Sequence, residues 1–300
     1  MNYAQLLFPD FSLIVCGYLI CRFTALNRTV WEQVDSLVYY FLFPVLLFHS
    51  IVRAPLDVRA ASSLIAAAWA MVVFGILISY AIAKLPGVNA RDHAGAAQIG
   101  FRFNSFIALA MADRLAGSEG VLLIAIIIGV CVPLCNMGAI WPMARHSGVG
   151  LGKTLLRNPL ILATMGGLAA NLLGFAVPAW AEVSVTRIGQ ASLALGLLAA
   201  GAGLQLGNVF DSASKRTVGV GVLAVRHLAM PLVAWCLVRA FGLSPVHATV
   251  LLAYSALPTA SSSYALASRM GYDGPFVAGL VTLSTLLGLA SLPFALEFLR

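Results

Sequence analysis

Ten apolar runs, most of them near twenty residues, follow one another along this chain with short polar connections between them. A run of about 20 apolar residues makes a helix that crosses the ~30 Å hydrocarbon layer of a bilayer. In lipid every backbone N–H and C=O must find its partner inside the protein, so such runs become helices. This excludes a soluble domain and leaves an all-α polytopic membrane protein. The composition agrees: of 300 residues, 61% are hydrophobic and 10% charged, and the mean hydropathy is +0.94. With charge so sparse, the net charge of +7 does not point to nucleic acid. Basic residues at span ends instead orient the protein and meet anionic lipid headgroups. The first run lacks a charged n-region and a small-residue cleavage site, so it reads as a retained helix. The five cysteines, Cys16, Cys21, Cys131, Cys135 and Cys236, lie in or beside apolar runs with no His or acidic partner nearby. Packing explains them better than a metal or a disulfide, and no cofactor is called for.

The runs fall at about 6–26, 34–52, 60–83, 94–115 and 121–141, then at 159–177, 188–206, 218–241, 246–267 and 276–298. The chain therefore divides into residues 1–145, a basic linker at 146–158, and residues 159–300. A shift of about 155 residues lays span 4 on span 9, and Phe103-Asn104-Ser105 falls on Pro258-Thr259-Ala260. Two halves with an odd number of spans must have opposite orientations, which is the inverted repeat of many secondary transporters. Ten basic residues fall on the connections 1–2, 3–4, 5–6, 7–8 and 9–10, and six on the other side. That bias places the linker in the cytoplasm and both termini outside the cell membrane.

Span 9 carries Ser255-Ala256-Leu257-Pro258-Thr259-Ala260-Ser261-Ser262-Ser263-Tyr264 at its centre. Pro258 removes a backbone donor and clashes with the preceding turn, so the helix breaks there. A break at mid-membrane depth is tolerated where it faces protein or a cavity. Span 4 holds Arg102 and Asn104 within Gly100-Phe101-Arg102-Phe103-Asn104-Ser105-Phe106. An intramembrane arginine costs roughly 2.5 kcal/mol or more and marks an interior or watery face. Its planar fork suits a carboxylate. The Asn104 amide both donates and accepts, and can serve a ligand or broken backbone. Asn104, Arg102, Ser105, Pro258, Thr259, Ser261, Ser262 and His49 are the candidate substrate-binding residues. Arg226, in a span with no evident break, reads as a structural intramembrane charge that pairs with freed carbonyls. On this reading Asn104→Ala weakens ligand binding and leaves stability nearly unchanged, whereas Arg226→Ala lowers stability. No Asp or Glu lies deep in a span, and no hydrolase motif such as G-x-S-x-G or HExxH is present. An enzyme is therefore disfavoured and an anion carrier favoured over a cation-coupled one.

These residues resemble the auxin efflux carriers and their bacterial relatives. The likeness rests on Leu156-Arg157-Asn158-Pro159 with Gly166-Gly167-Leu168, on Ala224-Val225-Arg226-His227-Leu228 with Pro231, and on Ala256-Leu257-Pro258 through Ala267. Thr282 to Pro293 and Phe103-Asn104-Ser105 add to it, the latter standing where the family usually has Pro-Asn-Thr. The resemblance covers essentially the whole chain, without the long inner loop of plant members. It implies ten helices in two inverted five-helix repeats, with broken helices 4 and 9 crossing at the substrate site. Spans 1, 2, 6 and 7 would form a scaffold that often dimerises, and spans 3–5 and 8–10 a moving transport domain. Phe103 in place of one proline, and Ser263 in place of a second, imply a less sharply broken crossing. The implied activity is elevator-type transport of a small organic anion, an auxin-like or a malonate- or malate-like carboxylate, with the bacterial relatives favouring the latter. The competing reading is a membrane receptor that binds a small acid without moving it.

Overall fold

The computed structural model describes residues 3–53, 58–144, 159–204, 209–260 and 262–298, and all regular structure in them is helical. The first half holds α1 (Tyr3–Phe23), α2 (Arg28–Leu37), α3 (Phe43–Val52), α4 (Val58–Ala81), α5 (Ala90–Ala96) and α6 (Ser105–Ala144). The second holds α7 (Pro159–Leu172), α8 (Ala179–Ala202), α9 (Ala213–Ala224), α10 (Met230–Phe241), α11 (Pro245–Ala256), α12 (Ser263–Arg269) and α13 (Gly274–Phe298). The linker, residues 146–158, lies wholly outside the described residues.

Local chemistry explains the interruptions. Pro44 and Pro231 each sit at the second position of a helix, where the ring would clash with the carbonyl four residues back. The chain widens into one π turn ahead of each, Val38–Leu42 and Val225–Ala229, so α2 runs into α3 and α9 into α10 without stopping. The Phe43 N–H then bonds Val38 O and the Met230 N–H bonds Val225 O. α6 has 40 residues, which at 1.5 Å per residue is about 60 Å, twice the hydrocarbon thickness. It is two helices joined at Ala116 and Gly117, where Gly117 turns the chain at φ 55°. Only glycine adopts that conformation without a steric cost.

Among the described residues, five stretches are each long and apolar enough to cross a membrane: Ser62–Lys84, Ile107–Met143, Ala179–Ala202, Ala213–Phe241 and Gly274–Glu297. Spans 4 and 9 of the sequence reading are not single helices. Each is a pair of shorter helices with a non-helical link, over residues 101–104 and from residue 257 to Ala260. The sequence expects a gentler break where Phe103 replaces proline, but the helix stops there all the same. Asn104 is the reason, because it starts the next helix as its cap.

α1, α2 and α3 pack against α7 and α8, while α4, α6, α10, α11 and α13 pack on one another. The first group is joined by close backbone contact. A Cβ on Gly17 would strike the Leu198 carbonyl of α8, and one on Gly201 the Ile14 carbonyl of α1. Small residues are how helices approach in the absence of a hydrophobic drive between them. The α2–α3 segment and α8 run antiparallel. At one end Arg28 donates to the Ala202 and Gly203 carbonyls at 3.4 and 3.3 Å. At the other, Glu182 accepts from Arg53 at 2.9 Å and lies 3.1 Å from His49 Nε2. The turns after α4, before α9 and before α13 also meet: the Asn89 N–H donates to Ser214 Oγ, Ser214 to Asp92, and Lys215 to Asp273.

Candidate functional site

The two non-helical links touch. The Asn104 N–H donates to the Pro258 carbonyl at 2.8 Å, and the Phe103 ring stands edge-on to Tyr254 with centroids 4.6 Å apart. Each link has its own cause. Pro258 forces Leu257 out of the helical region, to φ −58° and ψ 147°, so α11 ends at Ala256. On the other strand Asn104 Oδ1 accepts from the Ile107 N–H at 3.2 Å. This is the side-chain cap of the first turn of α6, where the backbone donors have no acceptor within the helix.

The carbonyls set free around Pro258 are taken up one by one, as buried backbone groups must be. Arg226, completely buried, donates through Nε to Leu257 O at 2.6 Å and through Nη2 to Tyr254 O at 2.8 Å. Ser291 Oγ donates to Ala256 O at 3.1 Å, and Asn104 takes Pro258 O. The Thr259 N–H donates to Ser284 Oγ at 3.0 Å. The Thr259 hydroxyl is fully buried and has no hydrogen-bond partner among the described residues.

Arg102 spans both links. Its Nη1 donates to Gln98 Oε1 at 2.8 Å and reaches Ser263 Oγ at 3.5 Å. Its Nη2 reaches Ser262 Oγ at 3.3 Å and Asn136 Oδ1 at 3.5 Å. One of these is a normal hydrogen bond and three lie at the long limit, where the interaction is weak. No carboxylate forms an ion pair with Arg102 among the described residues. Gln98 also donates to Gly95 O and Ser263 O, which ties the end of α5 to the start of α12.

Asn104, Arg102, Pro258, Thr259 and Ser262 are thus together at the crossing. Ser105 is the half-buried first residue of α6, next to Asn104. Ser261 lies outside the described residues. His49 does not join this group: its recorded partner is Glu182 on α8, because it sits near the end of α3 among the α7 and α8 contacts. Gln98, Asn136, Ser263, Ser284 and Ser291 are the residues the sequence reading overlooked. Gln98 had a signal, four residues before Arg102 and so on the same helix face. Ser284 and Ser291 had another, two turns apart on one face of α13. Asn136 and Ser263 meet Arg102 only through tertiary packing. Among the described residues no cluster of His, Cys, Asp or Glu is built to hold a metal.

The family described as "Membrane transport protein" matches residues 141–296, more than half of the chain. The chain belongs to this family. It is the family of the auxin efflux carriers and their bacterial relatives, and membership makes the protein a transporter rather than an enzyme. The chain is also 24% identical to a protein of Rhizobium meliloti (strain 1021) named "Putative malonate transporter", an alignment that covers 98% of this chain and 95% of that one.

Proposed function

We propose that this carrier moves a small dicarboxylate such as malonate across the cell membrane, and that the cargo's carboxylate docks on Arg102 at the crossing. The observation that carries this reading is the state of the Arg102 guanidinium. It has five N–H donors, one good acceptor in Gln98, three long contacts and no acidic partner among the described residues. A carboxylate would replace the long contacts with short, charge-assisted bonds. Asn104 and the hydroxyls of Ser105, Thr259 and Ser262 supply orientation, and the first turn of α6 adds partial positive charge. The name of the Rhizobium relative favours malonate as the first compound to try.

Ten spans in two inverted repeats fit the contacts described above. Connections that share a side in that topology touch among the described residues: 1–2 with 7–8, 3–4 with 7–8, and 7–8 with 9–10. The connection 2–3 touches the start of span 7, as the opposite side requires. Spans 1, 2, 6 and 7 then serve as a scaffold, as a homodimer in lipid. The remaining spans form the body that carries the crossing between the two faces, with both termini outside. Calorimetric titration of purified protein with malonate tests the site. Arg102→Gln should weaken binding about ten- to a hundred-fold, the value of one hydrogen bond between charged groups. Unchanged affinity in Arg102→Gln removes the arginine from the site.

A further inference from the structure

His227 on the π turn between α9 and α10 stands apart from the groups that could meet cargo directly, yet it is wired to them. Its Nδ1 lies 2.8 Å from Ser291 Oγ and its Nε2 lies 2.8 Å from Ser284 Oγ. The two serines reach opposite ends of the break: Ser291 donates to Ala256 O, and Ser284 accepts the Thr259 N–H. A serine hydroxyl has one hydrogen to give. Ser291 spends its hydrogen on Ala256 O, so it can only accept from His227, and Nδ1 must carry the proton. Ser284 needs an acceptor for its own hydrogen. Its neighbours on α13, Thr282 and Thr285, bond back to carbonyls four residues earlier, at Ala278 and Val281. Ser284 instead turns to His227 Nε2, the acceptor its hydrogen has there. The other neutral tautomer would strand both Ala256 O and the Ser284 hydrogen, and a doubly protonated ring would strand the latter.

We infer that His227 is a positioning residue of the carrier, held as the neutral Nδ1–H tautomer, which closes a directed chain of hydrogen bonds across the span 9 break. The chain runs from the Thr259 N–H to Ser284, from Ser284 to His227 Nε2, from His227 Nδ1–H to Ser291, and from Ser291 to Ala256 O. It clamps Leu257 and Pro258 from both sides. Pro258 O is thereby presented to Asn104, and the Thr259 N–H is occupied while its hydroxyl is left over. This assigns to His227 the shape of the cargo site, and in that respect rests on the proposed reading of the crossing.

Two measurements on the full chain in lipid nanodiscs test it. Nitrogen NMR of protein labelled at the histidine rings, with the His227 signals identified by their loss in His227→Gln, reads the tautomer. The expected spectrum at neutral pH has a protonated Nδ1 and a bare Nε2. A protonated Nε2, alone or with Nδ1, overturns the inference. Malonate affinity is then compared in His227→Gln, whose amide oxygen can accept from Ser284, and His227→Asn, whose amide nitrogen can donate only toward Ser291. Affinity should stay within about threefold in the glutamine variant and fall about tenfold in the asparagine variant, the worth of one neutral hydrogen bond. Equal losses that track melting temperature would reduce His227 to a packing group. If the parent protein binds no malonate, the cargo reading fails, while the ring spectrum still decides the histidine.

Discussion

Arg226→Met removes a guanidinium that is completely buried and whose two recorded bonds both go to main-chain carbonyls. Two terms oppose each other. Each hydrogen bond from a charged donor contributes about 1.5–3 kcal/mol, so the pair contributes about 3–6 kcal/mol. Against this, an arginine at mid-span costs roughly 2.5 kcal/mol to insert, and methionine recovers that cost. The bonds win by about 1–3 kcal/mol, because methionine fills the space but leaves Leu257 O without a donor. Among the described residues, Tyr254 O would keep the Leu257 N–H, at 3.4 Å. At roughly 2–4 °C per kcal/mol, the melting temperature of detergent-solubilised protein should fall by about 2–12 °C without ligand. A fluorescence melt read alongside malonate titration separates the two possible roles. A variant that melts like the parent but has lost malonate would make Arg226 a cargo group and refute the structural assignment.

Asn104→Ala should now cost stability as well as affinity: the lost cap of α6 is worth about 1 kcal/mol, visible in the same melt, beside a roughly tenfold or greater loss of malonate binding. Asp273 caps α13 through the Phe276 N–H at 2.9 Å and meets Lys215 at 2.8 Å. Burial opposes its ionisation, but the ammonium and the N–H outweigh it and hold the carboxyl below the usual carboxylate range. A depressed carboxyl adds stability that is complete above its unfolded value, about pH 4, and is lost as pH falls toward the folded one. The melting advantage of the parent over Asp273→Asn should therefore shrink between about pH 5 and pH 3, and a constant difference would contradict it. In a cysteine-free background on intact cells, a membrane-impermeant maleimide should modify Leu173→Cys and spare Ser212→Cys, and the reverse pattern would invert the orientation.

The helical class and the positions of the breaks were legible because a proline and a capping residue act locally. Pro258 dictates the ψ of Leu257 whatever surrounds it, and Asn104 starts α6 through its own side chain. The basic residues inside spans were legible too, since each is costly unless partnered. Which partner each would find was not. Arg226 and Arg102 look alike in sequence. One gives two short bonds, from Nε and Nη2, to carbonyls 28 and 31 residues away, and the other is left mostly among amide and hydroxyl groups at the long limit. That difference arises from how α9, α11 and α6 cross, which no local pattern encodes. His49 was misplaced for the same reason, since its neighbour Glu182 is 133 residues away in the chain.

Uptake of radiolabelled malonate into proteoliposomes preloaded with unlabelled malonate tests the central claim most directly. The parent protein should concentrate label above protein-free vesicles, and Arg102→Gln, at a melting temperature near that of the parent, should lose most of that flux. Malonate that binds but does not exchange, or a flux that survives loss of Arg102, would contradict transport through the crossing.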